Sequence, residues 1–578
     1  MGAALHPVST ADRDGRTLRA VVLVTVAAGL VLPIAAGLWQ TARAGFGVLP
    51  AIGAETLSLA PFATLLDLPG FGTALRLTLI TGFGATALSV LLAVGACAAM
   101  QGRMTRRASG RLLTPFLAAP HAAMAIGLAF LLAPSGWIAR ALAPLMGWDR
   151  PPMLATVNDP WGLALILGLT VKELPFLLLV ILSALGQIPL RQHLAAGRSL
   201  GYGRGIVWIK VIMPQVWPLI RLPVMVVLAY SLSVVDMALI LGPSNPPTLA
   251  VLLLRLFSAP DLTLLLPASA GALLQAALVA LGFGLLWALE RSGRIIGRWW
   301  VRRGGRGMSA EPGLWLAGAL SAALFAAGAL AMLSLLVWSL AWRWSWPGVL
   351  PETWSLRAWS TPGGGWAAAL GHTVILAAAS TALSLVLAIA WLEGEDRARR
   401  GRAGWAEALV YLPLLVPQIG FLFGLNVLFL RLGLTGGYLA VIWAHALFVF
   451  PYVMIALSDP WRALDPRLPR AAASLGAGPW RRLVSVKLPV LLTPILTALA
   501  IGVAVSVAQY LPTLFMGAGR ISTLTTEAVT LSSSSDRRIT GVYATLQAGL
   551  PFAVYAAAFL IPALLHRNRR GLMAEAGR

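Results

Sequence analysis

Read for polarity alone, the chain alternates long apolar runs with short gaps, half of them rich in arginine. The runs fall near 20–42, 73–99, 112–134, 160–185, 215–241 and 263–289. A second set follows near 314–341, 366–392, 406–430, 437–458, 490–516 and 540–565. Each approaches the ~20 residues that a helix needs to cross the hydrocarbon core of a bilayer. Apolar residues within them are nearly continuous rather than alternating, which predicts helices and not strands. Lipid offers no partner to a backbone N–H or C=O, so only helices or closed barrels can span. The expected fold class is an all-α polytopic membrane protein with about twelve spans. The run Ala20–Trp39 follows Arg13, Arg16 and Arg19, as a secretory signal would. It is long enough to span and no clear small-residue cleavage site ends it, so it reads as the first membrane helix.

The pattern repeats. Ala74-Leu75-x-x-Thr78 and Thr86-Ala87-Leu88-Ser89 in span 2 match Ala369-Leu370-x-x-Thr373 and Thr381-Ala382-Leu383-Ser384 in span 8. Pro120 and Gly127 in span 3 match Pro417 and Gly424 in span 9. Six spans per half is an even number, so the halves share one orientation and form a parallel repeat about an axis along the membrane normal. The expected layout is a tail at 1–19, a lobe at 20–290, a linker at 291–312, a second lobe at 313–566 and a tail at 567–578. The loop after span 3, about 134–160, is longer than its counterpart and rich in Pro and Trp. It reads either as a docking surface for an outside partner or as a tolerated insertion.

Composition agrees. The chain is 58% hydrophobic and 11% charged, with a mean hydropathy of +0.81, against about 25% charged residues in soluble domains. The net charge of +23 could suggest nucleic acid, but the basic residues cluster after the even-numbered spans. Examples are Arg103, Arg106 and Arg107 after span 2, Arg191 and Arg198 after span 4, and Arg567 and Arg569 after span 12. That is the positive-inside pattern, and it places both termini in the cytoplasm. Cys97 is the only cysteine, which rules out an intrachain disulfide and a structural cysteine-zinc site.

Two loops carry the most specific signal. After span 4 the chain reads Ala195-Ala196-Gly197-Arg198-Ser199-Leu200-Gly201, then Val211-Ile212-Met213-Pro214. After span 10 it reads Arg470-Ala471-Ala472-Ala473-Ser474-Leu475-Gly476, then Val486-Lys487-Leu488-Pro489. The correspondence runs on without a gap through Ser231 and Ser506, Gly242 and Gly517, and Thr248-Leu249 and Thr523-Leu524. A glycine suits a sharp turn because it tolerates positive φ, and a proline suits the first turn of the helix that follows.

These loops resemble the EAA loop of ABC importer permeases, and the resemblance covers essentially the whole chain. It implies the type I importer permease fold, with coupling loops at about 190–214 and 459–489. Ala195, Ala196, Leu200, Gly201 and Pro214, with Ala471, Ala472, Leu475, Gly476 and Pro489, would then meet the ATPase. The family's acidic first residue is Ala195 in one lobe and Arg470 in the other. The contact would lean instead on Arg198, Arg204, Arg481 or Arg482. No Walker A stretch occurs, so two separate ATPase subunits would carry ATP and magnesium, and this chain would hold no cofactor or metal and be no enzyme. A periplasmic solute-binding protein is the other implied partner. Two lobes in one polypeptide resemble the fused subunits of iron(III) and thiamine importers, which implies cargo of that kind.

Polar residues within spans are costly and usually face protein or a water-filled path. The candidates are His121, Lys172, Glu173, Ser233 and Asp236 in the first half. In the second they are Gln418, Asn426, His445, Gln509 and Tyr510. Structural pairing is the alternative for each. Spans 5 and 11 are the expected pore helices, since they follow the loops directly. A rival reading is a gradient-driven transporter of the major facilitator type. Twelve spans in two sixes fit it, and Gly394–Arg402 resembles that family's basic loop. It does not explain the paired Gly-to-Pro spacing. An intramembrane enzyme would need ligand or nucleophile clusters that the sequence lacks.

Overall fold

In the computed structural model the described residues are 10–100, 113, 116–304, 311–360, 365–398, 404–534 and 536–565. Arginines 103–111, 306, 399–402 and 567–570 lie outside them. Ten described helices are long and apolar enough to cross a membrane, or twelve if each of two bent pairs counts as one span. The one sheet among the described residues is a small hairpin, Ala341–Arg343 against Thr353–Trp354.

Prolines shape the spans. Span 3 breaks at Ala119-Pro120 and resumes as His121–Leu132. Span 9 breaks at Val416-Pro417, where Leu409–Leu415 and Gln418–Arg431 meet at 104°. Proline cannot donate to the preceding turn, and its ring crowds that turn. Span 5 differs from the predicted 215–241. Its helix starts earlier, at Arg204, and ends at Ser233. The chain is extended at Val234, and a short helix Asp236–Leu241 follows. Span 11 likewise departs from 490–516. It consists of Pro479–Val490 and Leu492–Val507 at 78°, then a separate Leu511–Gly517.

The first span of each half reaches across to the other lobe while still packing on the last span of its own. Span 1, Gly15–Gly45, packs on spans 8 and 9, and span 7, Glu311–Leu340, packs on spans 2 and 3. The repeated glycines are where these helices cross. A Cβ on Gly424 would lie 2.0 Å from the Gly37 carbonyl oxygen, and one on Gly127 would lie 2.3 Å from that of Ala331. Hydroxyls close both crossings: Gly424 N–H donates to Thr41 Oγ1 at 3.2 Å, and Ser334 Oγ donates to Gly127 O at 3.0 Å.

The repeated threonines also have matching partners. Thr78 Oγ1 accepts from Leu249 N–H at 2.8 Å, and Thr373 Oγ1 accepts from Leu524 N–H at 2.9 Å. In each lobe a span-2-type helix thereby satisfies a free donor at the start of the short helix Leu249–Phe257 or Leu524–Leu531.

The Pro- and Trp-rich loop after span 3 carries a helix, Trp137–Met146. Buried Arg140 donates to the carbonyls of Ser135, Ser345, Gly348 and Trp344, and its guanidinium lies 4.9 Å from the Trp344 ring centre. Trp137 Nε1 donates to Val349 O and Trp346 Nε1 to Trp148 O. The loop thus fastens one half to the hairpin segment of the other. Met146 and Met153 beside this fastening remain exposed.

Candidate functional site

Both glycine-centred loops form a short helix, a tight turn and a second helix. In the first, Leu190–Ser199 turns at Gly201 into the run that begins at Arg204. In the second, Arg467–Ser474 turns at Gly476 into the run from Pro479. Gly201 and Gly476 take φ of +78° and +82°, the left-handed region that a side chain disfavours. Each turn pushes a leucine into solvent: Leu200 is 62% exposed and Leu475 87%. Ala195, Ala196 and Ala471 are exposed and Ala472 is half-buried. Gly197 is buried, and a Cβ there would lie 2.4 Å from Val207, so the first loop's two helices are closely packed. A groove of about 350 Å³ opens beside this loop, lined by Leu185, Ile188, Pro189, Leu190 and Arg191 among others.

Pro214 and Pro489 stand in the first turn of the α-helices Met213–Ser233 and Leu488–Val490, as the sequence led one to expect. Each also lies inside a longer helical run, just past a widened turn at Trp208–Ile212 or Leu483–Lys487. The widened turn re-registers the hydrogen bonds that proline cannot make. Of the arginines expected to face a partner, Arg204 lies 3.9 Å from Glu311 of this same chain.

Beneath the second loop lies a knot of charges. Lys487 Nζ is 2.6 Å from Glu393 Oε2 and 2.6 Å from Asp396 Oδ2. Arg397 Nε donates to Glu393 Oε1 at 2.7 Å, and Arg462 to Glu395 Oε2 at 3.0 Å. Trp461 Nε1 donates to Asp396 and Trp391 Nε1 to Glu395. The segment that resembled a major facilitator loop is thus tied, at Glu395, Asp396 and Arg397, into contacts within this fold.

The pathway candidates divide by surroundings. Lys172 Nζ donates to the carbonyls of Phe116, Leu117 and Ala119 at 2.9, 3.3 and 2.6 Å. It caps the free end of the broken span 3. His445 is buried between Ser506 Oγ at 2.8 Å and Thr513 Oγ1 at 2.9 Å, and Ser380 Oγ bonds Ser506 Oγ at 3.1 Å. Gln509 is buried, and its carbonyl accepts from Thr513. Lys172 and His445 hold helices together.

A second set converges. His121 Nε2 lies 3.4 Å from Glu173 Oε1, and its ring centre is 4.6 Å from that of Tyr230. Tyr230 donates to Asp236 Oδ1 at 3.4 Å. Tyr452 and Tyr510 of the second half lie within electrostatic reach of Glu173 and Asp236 respectively. His121, Tyr230, Tyr452 and Tyr510 are only half-buried, as are Ser233, Gln418 and Asn426. Gln418 repeats the position of His121, directly after the span-breaking proline. Sequence reasoning missed Tyr230 and Tyr452 because a tyrosine in an apolar helix carries no signal of its own. It also missed the role of Glu393, although three acids ending an apolar span, with Ala98 and Met100 at two of the aligned positions in span 2, were a legible asymmetry.

Comparisons with known proteins agree with this arrangement. The family model described as "Binding-protein-dependent transport system inner membrane component" matches residues 380–566. The "Inner membrane ABC transporter permease protein YnjC" of Escherichia coli (strain K12) is 33% identical over 517 residues, spanning 89% of this chain and 93% of that protein. The "Putative 2-aminoethylphosphonate transport system permease protein PhnV" of Salmonella typhimurium is 28% identical over 28% of this chain and 63% of its own length. The "Molybdenum transport system permease protein ModB" of Haemophilus influenzae is 29% identical over 24% of this chain and 66% of its own length.

Proposed function

This chain belongs to the binding-protein-dependent ABC transporter permeases of the inner membrane, and from that premise we propose that its two lobes enclose the solute pathway of an ATP-driven importer. It is a multi-pass permease and not an enzyme. Two separate ATPase subunits dock on the glycine-centred loops, on the cytoplasmic side with both termini, and bring ATP and magnesium. A periplasmic binding protein delivers cargo to the opposite face, where the loop at 134–160 and the hairpin present themselves. The observation that carries the coupling role is the pair of turns at Gly201 and Gly476, each in left-handed conformation and each exposing a leucine. A small apolar knob on a rigid turn suits insertion into a cleft of a partner.

The test is affinity purification of the tagged protein from solubilised membranes. The unmodified chain retains an ABC ATPase. Gly201→Arg and Gly476→Arg, which set a bulky charge and a strained backbone on the turn, reach the membrane in normal amount but lose the ATPase and uptake. Normal uptake by both variants would contradict the assignment.

The cargo reading rests on the inter-lobe cluster. Glu173 faces His121 and Asp236 faces Tyr230, and Lys172 beside Glu173 is committed to backbone carbonyls. Carboxylates and aromatic faces both favour a cation. This supports a cationic cargo such as a thiamine-like compound or iron(III), passing Asp236, Glu173, His121 and Tyr510.

A further inference from the structure

The two lobes connect their loops to the membrane helices by different means. In the first lobe, Arg204–Ser233 is one helical run, from the loop to the pathway. A push on the loop travels along that axis. In the second lobe the corresponding run bends by 78° between Val490 and Leu492, so an axial push dissipates at the bend. Just before the bend stands Lys487, with a side chain 9% exposed, held between Glu393 and Asp396 of span 8. Span 10 joins the same knot through Trp461 Nε1 to Asp396 and Arg462 to Glu395. The second loop joins it through Trp480, whose ring centre is 4.4 Å from the Arg397 guanidinium.

Among the described residues none of this recurs in the first lobe. The residue aligned with Lys487 is Ile212, fully buried among Val207, Trp208 and Leu185. Ala98 and Met100 stand where span 8 has Glu393 and Glu395. At the core of the knot, the buried pair Lys487 and Glu393 keeps its geometry because displacement strands a charge in a poorly solvating environment, while Asp396 lies at the exposed rim. Such a knot suits lateral transmission between helices that do not share an axis.

We propose that Lys487, Glu393 and Asp396 are positioning residues that couple the second loop to spans 8 and 10 together, replacing the axial link that the bend removes. The first lobe transmits along a helix, and the second through a charge knot. The inference rests on the coupling reading of the loops given above.

The experiment uses the full chain with its ATPase subunits and binding protein in proteoliposomes, and reads cargo moved per ATP hydrolysed. In Lys487→Met/Glu393→Gln/Asp396→Asn the lysine and both of its carboxylate partners are neutralised together, and Arg397 loses its acidic partner but keeps an amide oxygen at position 393 and the Trp480 ring. The variant's ATPase stays bound and hydrolyses ATP, while cargo per ATP falls by about fivefold or more, the scale of an ordinary coupling energy. Lys487→Arg, which keeps the charge, retains most of the ratio. Glu393→Asp is a milder variant that keeps the charge but withdraws the carboxylate by one methylene. It lowers the ratio in the same direction, and serves if the triple variant does not reach the membrane. An unchanged ratio in the triple variant, or in Glu393→Asp where the triple variant is absent, overturns the inference alone. An unmodified chain that holds no ATPase overturns the coupling reading and the inference with it.

Discussion

At the scale of single residues, a charged group on span 4 and another just after span 5 have opposite duties. Lys172 ends on three carbonyls released where proline breaks span 3. Removing a donor from buried acceptors costs about 1–3 kcal/mol. Lys172→Met therefore lowers the unfolding temperature in detergent without changing which cargo is accepted. Asp236 behaves the other way. Asp236→Asn keeps the shape of the side chain and its place at the start of a short helix, so the protein accumulates normally. If the cargo is a cation its uptake falls by about tenfold, the worth of one charge-assisted contact, as transport assays in proteoliposomes would register. Undiminished uptake of a cationic cargo would remove Asp236 from the pathway.

At the scale of elements, glycine decides where helices cross. Gly424 and Gly127 let the crossing spans approach backbone to backbone. Even one methyl group has no room there, and overpacking of this kind costs about 1–3 kcal/mol. Gly424→Ala and Gly127→Ala each lower thermal stability in detergent. Gly371→Ala, whose new Cβ meets nothing within 4 Å, leaves stability unchanged or raises it, since alanine favours a helix over glycine. The same scale explains the prolines. Pro120 and Pro417 were legible as repeat markers, but the bend they produce depends on what stands nearby. In span 3 the freed carbonyls have a lysine to receive them.

At the scale of the whole molecule, the halves are not independent. Span 1 rests on the second half and span 7 on the first, and Arg140 ties the 134–160 loop to the second half's hairpin segment. Chains 1–304 and 311–578, expressed together as separate polypeptides, accordingly copurify through a tag on either one, while each alone is poorly recovered. Free exchange of the halves during purification would argue against the interlock.

The sequence by itself determined the helical membrane class, the order of the spans and the twofold repeat, because lipid imposes a length and a polarity that can be read one residue at a time. It also determined the paired turns, since Ser-Leu-Gly at matched positions asks for a left-handed glycine. Only the tertiary structure decided that spans 1 and 7 reach across to the other lobe and that span 5 begins at Arg204 and stops at Ser233. It alone separated Lys172 and His445, which hold helices, from Glu173, which lies against His121, and Asp236, which accepts from Tyr230. Those outcomes depend on partners hundreds of residues away. An ionisable group in an apolar helix looks the same in sequence whether it ends on a backbone carbonyl, on another charge, or beside a path for solute.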